Sequence, residues 1–159
     1  MVICTIGVYG STEDEFFNKI VSNRIDTFID VRRRRAVRGT QYAFANSQKL
    51  QKKLNSLGIR YMHVLDLSPT NEIRHLQYAA DEKAGIGKRN RQILSAAFIS
   101  AYKNQILKSY SFDTLMQELV KLKTKKAVLF CVEKDAAACH RSLVAEKLQR
   151  DHHVTTEHL

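Results

Sequence analysis

Residues 126–146 read KAVLFCVEKDAAACHRSLVAE. The run KAVLFCV is apolar enough to be a strand buried on both faces. Glu133 closes it, and a loop of small residues follows. Cys139, His140 and Arg141 then stand together where a helix is expected to begin and to run to about Arg150. A buried strand passing through a short loop into a helix is half of a parallel βαβ unit.

The same rhythm extends outward. VICTI at residues 2–6, DTFIDV at 26–31 and IRYMHVL at 59–65 are expected strands, and VTTEHL is a candidate last strand. Ser11 resembles a helix N-cap, with Asp14 three residues on in the place of a capping-box acid. The helix it opens carries Phe16, Phe17, Ile20 and Val21 on one face. Asn46 or Ser47 can cap a helix through Leu57, which Gly58 stops. Ser68-Pro69-Thr70 is a turn leading into a helix to about Glu82. Residues 91–108 and 111–123 are expected helices, parted near Ser109. The fold class is therefore α/β: one domain over residues 1–159, with a mainly parallel sheet flanked by helices. The rhythm lapses over residues 66–110, which read as a helical insertion.

Bulk properties narrow the classes. A length of 159 residues fits one domain. Hydrophobic residues at 44% and charged residues at 26% suit a packed core and not disorder. No apolar stretch approaches the roughly 20 residues of a membrane helix. The N-terminus lacks a basic region before its apolar run, so it reads as a strand and not a signal peptide. A cytoplasmic location and no membrane partner are expected. Cys4, Cys131 and Cys139 are an odd number, two of them in or beside strands, which argues for reduced thiols.

The net charge of +10 suits a polyanion, so nucleic acid or a nucleotide is the expected partner. A solvated basic surface is the plain alternative. The basic residues cluster: Arg32 to Arg35 with Arg38, then Lys83, Lys88, Arg89 and Arg91. The second cluster contains Gly85 and Gly87 and reads as a mobile segment, suited to a lid or phosphate clamp.

Open parallel sheets bind ligands beyond the carboxyl ends of their strands. Those ends deliver Thr5, Gly7, Tyr9 and Ser11, then Asp30, Arg32 and Arg33, then His63 and Asp66, and finally Cys131, Glu133, Cys139, His140 and Arg141. A helix N-terminus attracts anions. An arginine in the first turn opposes the helix dipole by about 0.3–1 kcal/mol. A bound phosphate or carboxylate forked by Arg141 reconciles the two. The candidate catalytic residues are Glu133, Asp30, Cys139 and His140. The candidate ligand-binding residues are Thr5, Gly7, Ser11, Arg32, Arg38, His63 and Arg141. Each has a structural alternative: Cys139 as an inert buried thiol, Glu133 as a partner for an arginine, Asp30 as a partner for Arg32.

The sequence leaves the cofactor unknown; Asp30 and Glu133 are the carboxylates that could hold a divalent metal, thin support by themselves. GVYGS after the first strand is neither a GxGxxG nor a Walker loop. Cys131 and Cys139 lie eight apart and Cys139 adjoins His140, which is not a familiar zinc spacing, so no metal is expected. His152, His153 and His158 read as a solvated cluster.

The motifs TIG at Thr5–Gly7, IDVR at Ile29–Arg32, Tyr61 with His63, LFCVE at Leu129–Glu133, CHR at Cys139–Arg141 and the closing His158-Leu159 resemble the family called domain of unknown function 488. The resemblance spans nearly the whole chain. It implies a single α/β domain with motif positions at Asp30, Arg32, Cys131, Glu133, Cys139, His140 and Arg141, and no established reaction. The chain departs from the family in two places. RRRAVRGTQYAF lacks the proline expected after DVR, with Arg38 standing where an arginine would fall, and LDLSPTNEIRH replaces a glycine-rich segment.

Three readings follow. The first is an enzyme acting on a nucleic acid or nucleotide at the carboxyl edge of the sheet. The second is a non-catalytic module binding the same ligands. The third is a thiol-dependent redox protein using Cys139, with Cys131 as its resolving partner only if the loop between them folds back.

Overall fold

The structure, a computed structural model, describes residues 1–159. Five strands, β1 (Val2–Ile6), β2 (Thr27–Asp30), β3 (Arg60–His63), β4 (Lys126–Phe130) and β5 (Thr155–His158), form one sheet in the order β3-β2-β4-β1-β5. Every neighbouring pair is parallel. Placement in the sheet follows composition. The apolar β2, β4 and β1 fill its centre and are almost wholly buried. The polar β3 and β5 take the edges, where exposed charged and polar side chains discourage pairing with another chain.

Successive strand residues feed opposite cores, as a period of two requires. Ile3, Ile29 and Leu129 meet Phe98, Tyr102, Leu115, Leu119, Val144 and Leu148 on one face. These come from α4 (Ala96–Tyr102), α5 (Phe112–Lys121) and α6 (His140–His152). Cys4, Phe28, Val128 and Phe130 meet Phe16, Ile20, Leu50 and Leu54 on the other. These belong to α1 (Glu13–Ser22) and α2 (Ser47–Ser56). The middle of the chain is the expected helical insertion. There α3 (Asn71–Ala84) packs against α4, and both precede α5. No helix is long and apolar enough to cross a membrane.

Several expected boundaries shift. Thr12, not Ser11, caps α1, and Glu15, not Asp14, completes the capping box. The Glu15 carboxylate accepts the Thr12 N–H at 2.8 Å while Thr12 Oγ1 accepts from the Glu15 N–H. Glutamate has the extra methylene needed to reach back. The Ser11 N–H instead donates to the Val8 carbonyl and closes a turn. The helix expected from residue 91 starts at Ala96, because Ser95 caps it and Arg91 is drawn inward by Asp81. It ends in a π-helical turn, Lys103–Leu107. Cys139 is the residue that caps α6, and His140 is its first helical residue.

Asp30 and Arg32 are buried together at the end of β2. Arg32 forks the carboxylate through Nε at 2.9 Å and Nη2 at 2.7 Å, and its Nη1 donates to the Ala45 carbonyl. The guanidinium lies 4.4 Å from the centre of the Phe130 ring. Asp30 also accepts the Arg32 N–H and the Tyr61 hydroxyl. The four sites at which a carboxylate accepts hydrogen bonds are thus filled from within. Removing one partner would leave a buried charge uncompensated, which costs about 3–5 kcal/mol. Asp30→Ala is therefore expected to lower unfolding stability by about that amount, measured by urea denaturation. A loss below about 1 kcal/mol would show that Arg32 finds water.

Gly7 follows β1 where the β4–α6 loop passes over it. A Cβ at this position would lie 1.8 Å from the Glu133 carbonyl oxygen and 3.2 Å from Arg141 Nη2. Backbone cannot yield there without moving the loop. Gly58, by contrast, has open space around it but a φ of +70°. Gly7→Ala should destabilise the protein by about 3 kcal/mol or more. Gly58→Ala should cost about 1–2 kcal/mol. Denaturant midpoints in the reverse order would contradict the close approach.

Candidate functional site

A cavity of about 440 Å³ opens at the carboxyl edge of the sheet. Its floor is the β4–α6 junction: Cys131, Glu133, Cys139 and His140 all line it. β4 stops at Phe130, so Cys131 and Glu133 leave the sheet as a loop. That loop is held by Arg141. Its Nη1 donates to the Glu133 carbonyl at 2.7 Å and its Nη2 to the Lys134 carbonyl at 3.0 Å. The side chain is 1% exposed, and its Nε has no partner. The expected anion fork is thus a fork onto two peptide carbonyls. Arg141 shapes the floor from behind and does not line the cavity. Its sequence signal was real, but backbone oxygens in the adjoining loop satisfy the same geometry as an anion.

The thiol, imidazole and carboxyl groups form one cluster. The Cys139 Sγ lies 3.8 Å from His140 Nδ1, and the His140 Nε2–H donates to the Val31 carbonyl at 3.1 Å. That bond leaves Nδ1 facing the thiol. The Cys131 Sγ lies 3.4 Å from Glu133 Oε2. The sulfurs of Cys131 and Cys139 and a His140 ring nitrogen are all within 4.8 Å of one another. The loop therefore does fold back, and Cys131 stands beside Cys139.

These groups shift one another's protonation. Burial acts to raise the Cys139 thiol, but the neighbouring Cys131 thiol and the charges of His140 and Arg141 outweigh it and hold it well below the usual range. Cys131 moves the opposite way, raised by the adjacent Cys139 and by burial. Burial disfavours a charged His140, yet the Cys139 thiolate beside it raises it overall. Burial raises Glu133, reinforced by the Cys139 charge and opposed by Lys88. The directions are those of a cysteine and a histidine that favour each other's charged forms, beside a thiol and a carboxyl group pushed toward their neutral forms.

The walls are basic. Arg33, Arg34 and Arg38 come from the loop after β2, and Arg74 from α3. Lys88, Arg89 and Arg91 come from the segment between α3 and α4. That segment, expected as mobile, is pinned at three points. The Arg89 guanidinium lies 5.2 Å from the Tyr9 ring and 5.4 Å from the Tyr42 ring, and donates to the Arg38 carbonyl. Lys88 Nζ is 4.0 Å from Glu133 Oε1. Arg91 is buried, forks Asp81, and directs Nη1 to 3.6 Å from Glu133 Oε1.

Asp81 and Gln77 escaped the sequence reading. Gln77 donates to Asp81 at 2.8 Å and accepts the Ser95 N–H, so the pair ties α3 to the start of α4 and aims Arg91. A signal was present: Ile73, Gln77 and Asp81 repeat at intervals of four on the buried face of α3. Tyr102 also went unnoticed. It donates to the Leu67 carbonyl, and its ring lies edge-on 5.5 Å from His140.

The other expected site residues scatter. Arg32 and Arg38 line the cavity. Asp30 stands behind Arg32 with its acceptor sites filled from within, and it holds Arg32. His63 Nε2 is 2.9 Å from the Arg32 carbonyl and holds the backbone after β2 instead of a ligand. Thr5 Oγ1 is 2.8 Å from His158 Nδ1, joining β1 to β5 away from the cavity. His158 is exposed otherwise, as are His153 and, in part, His152. Gly7 lies beneath the floor, and Ser11 in the turn before α1, neither in the cavity wall. In a parallel sheet, residues pointing to opposite faces leave the same edge, so a shared edge does not ensure a shared cavity.

Comparisons with curated proteins and with solved structures returned no match. A family model, Domain of unknown function DUF488, matches residues 12–148. The matched segment contains Asp30, Arg32, the whole β4–α6 junction and every basic wall residue named above. The chain belongs to the family described as Domain of unknown function DUF488.

Proposed function

We propose that the protein is an enzyme acting on a phosphate-bearing ligand, a nucleotide or nucleic acid, held in the cavity at the carboxyl edge of the sheet. The observation that carries this reading is the contrast between wall and floor. The wall presents many cations, and the floor presents one carboxyl group, Glu133, beside a thiol–imidazole pair. Packing has no need of that combination.

The cations divide by their partners. Arg32 and Arg91 are buried and neutralised by Asp30 and Asp81. Arg34, Arg38 and Lys88 are exposed at the mouth, where they can meet phosphate oxygens. Tyr9 and Tyr78 offer ring faces for a base, and both already lie under guanidinium groups. Glu133 is the acid/base group of this reading, because it is the only carboxylate in the cavity wall. Cys139 and His140 complete the floor around the reacting atoms.

Fluorescence anisotropy with a labelled single-stranded oligonucleotide, and with ATP as competitor, tests the binding step. Affinity should fall steeply with salt as counterions are displaced. Arg38→Glu combined with Lys88→Glu should weaken binding at least tenfold, while Glu133→Gln should leave it unchanged or stronger. Unchanged affinity in the double variant at low salt would remove this cavity as the ligand site. Chromatography of nucleotides incubated with the protein reads the catalytic step. Product should form with the native chain and not with Glu133→Gln; equal product from both would exclude Glu133.

A further inference from the structure

We propose that Cys131, Cys139 and His140 form a binding site for one thiophilic divalent metal ion, zinc by its ligand chemistry, with its fourth position open to the cavity. The inference deepens the reading of the same cavity as catalytic, but it does not depend on which anionic ligand enters.

Spacing along the chain spoke against a metal. The tertiary structure gathers the donors regardless, with all three atoms within 4.8 Å of one another. A tetrahedral zinc with metal–sulfur bonds of about 2.3 Å and metal–nitrogen bonds of about 2.0 Å places its ligand atoms roughly 3.5–3.8 Å apart. The Cys139 Sγ to His140 Nδ1 separation is already 3.8 Å. Closing the remaining sulfur distances asks for shifts on the order of 1 Å, within the reach of side-chain rotation.

The outer contacts suit the purpose. A metal-binding histidine characteristically donates its other ring N–H to a carbonyl or carboxylate, which fixes the tautomer and the ring plane. His140 does this through Nε2 to the Val31 carbonyl, at 3.1 Å, leaving Nδ1 for the ion. Charge also balances. A bare cation would be repelled by this basic cavity, but two thiolates cancel a divalent charge. Arg141 and Arg91 are meanwhile turned to the Glu133 carbonyl and carboxylate.

Two cysteines and one histidine with an open position are the ligand pattern of a catalytic zinc, whereas structural zincs are closed by four protein ligands. The open side here is the cavity, since all three residues line it. Glu133 lies next to the trio and outside it. Its Oε2 is 3.4 Å from Cys131 Sγ, and its Oε1 is held by Arg91 and Lys88. With an ion bound, Glu133 would be the nearest group to hold a proton beside the open position, and the ion would supply the Lewis acidity of a hydrolytic zinc site.

The test uses the untagged, fully reduced chain, titrated with Co(II) and then Zn(II) in the absence of nucleotide or nucleic acid. We expect a 1:1 endpoint, intense thiolate-to-cobalt absorption with tetrahedral visible bands, and displacement of cobalt by zinc. Cys131→Ser and Cys139→Ser should each lower affinity at least 100-fold and dim the charge-transfer band. Cys4→Ser, on the opposite face of the sheet, should change neither, and Glu133→Gln should keep the 1:1 endpoint. Absence of stoichiometric binding by the native reduced chain overturns the proposal, whether or not the variants fold. An unchanged cobalt spectrum in a folded Cys139→Ser variant overturns it as well. Because no anionic ligand is present, either result leaves the oligonucleotide binding measurement independent.

Discussion

The grip of Arg141 on the carbonyl oxygens of Glu133 and Lys134 organises the cavity end of this molecule. The loop between β4 and α6 has no ladder to hold it and contains only a short 3₁₀ turn, Ala136–Ala138. Its shape comes from a guanidinium rooted in the first turn of α6 and pressed against Gly7. A charged hydrogen bond to a carbonyl contributes about 1.5–3 kcal/mol. That offsets the burial of a cation whose Nε remains without a partner. The same bond sets the distance between Cys131, at the end of the sheet, and Cys139, at the start of the helix. Backbone bonds from Cys131 to Ile6, from Val8 and Tyr9 to Val132, and from Leu94 to Ala137 hold the rest of the loop in place.

Charge is distributed by depth. Near the floor, arginines are paired in carboxylate forks, Arg32 with Asp30 and Arg91 with Asp81. At the mouth, Arg34, Arg38 and Lys88 are exposed. Burying an unpaired cation is expensive, whereas an exposed one is solvated at little cost. The interior pairs therefore act as rigid walls, and Arg34 and Arg38 at the mouth are placed to exchange water for a ligand. Arg91 joins the two regions, because one end of its guanidinium holds Asp81 and the other faces Glu133. Arg89, stacked against Tyr9 and Tyr42, closes the rim in the same way.

Much of this architecture was legible in the chain. The apolar runs at β1, β2 and β4 were legible as buried strands of a mainly parallel sheet, whereas the placing of β3 and β5 at its edges came from the structure. The residues at the carboxyl ends of the strands were legible as a set, because packing does not call for them. Finer assignments were less so. Ser11 and Thr12 both offer a hydroxyl three residues before an acid, and only the reach of Glu15 selects Thr12. Gln77 and Asp81 were hidden because a buried polar pair on a helix resembles the ordinary polar pattern of its exposed face.

The sequence by itself determined the fold class and singled out CVE…CHR as the group of residues that packing does not call for. Local periodicity and residue type are enough for that, since each reports on its own segment. Only the tertiary structure decided the partners of each polar group. Asp30 was claimed by Arg32, Arg141 by two carbonyls, His63 by the Arg32 backbone, and Cys139 was brought to Cys131 and His140. Hydrogen bonds and ion pairs act over about 3 Å and depend on direction. Which groups come that close is fixed by how separate segments pack, and spacing along the chain does not record it.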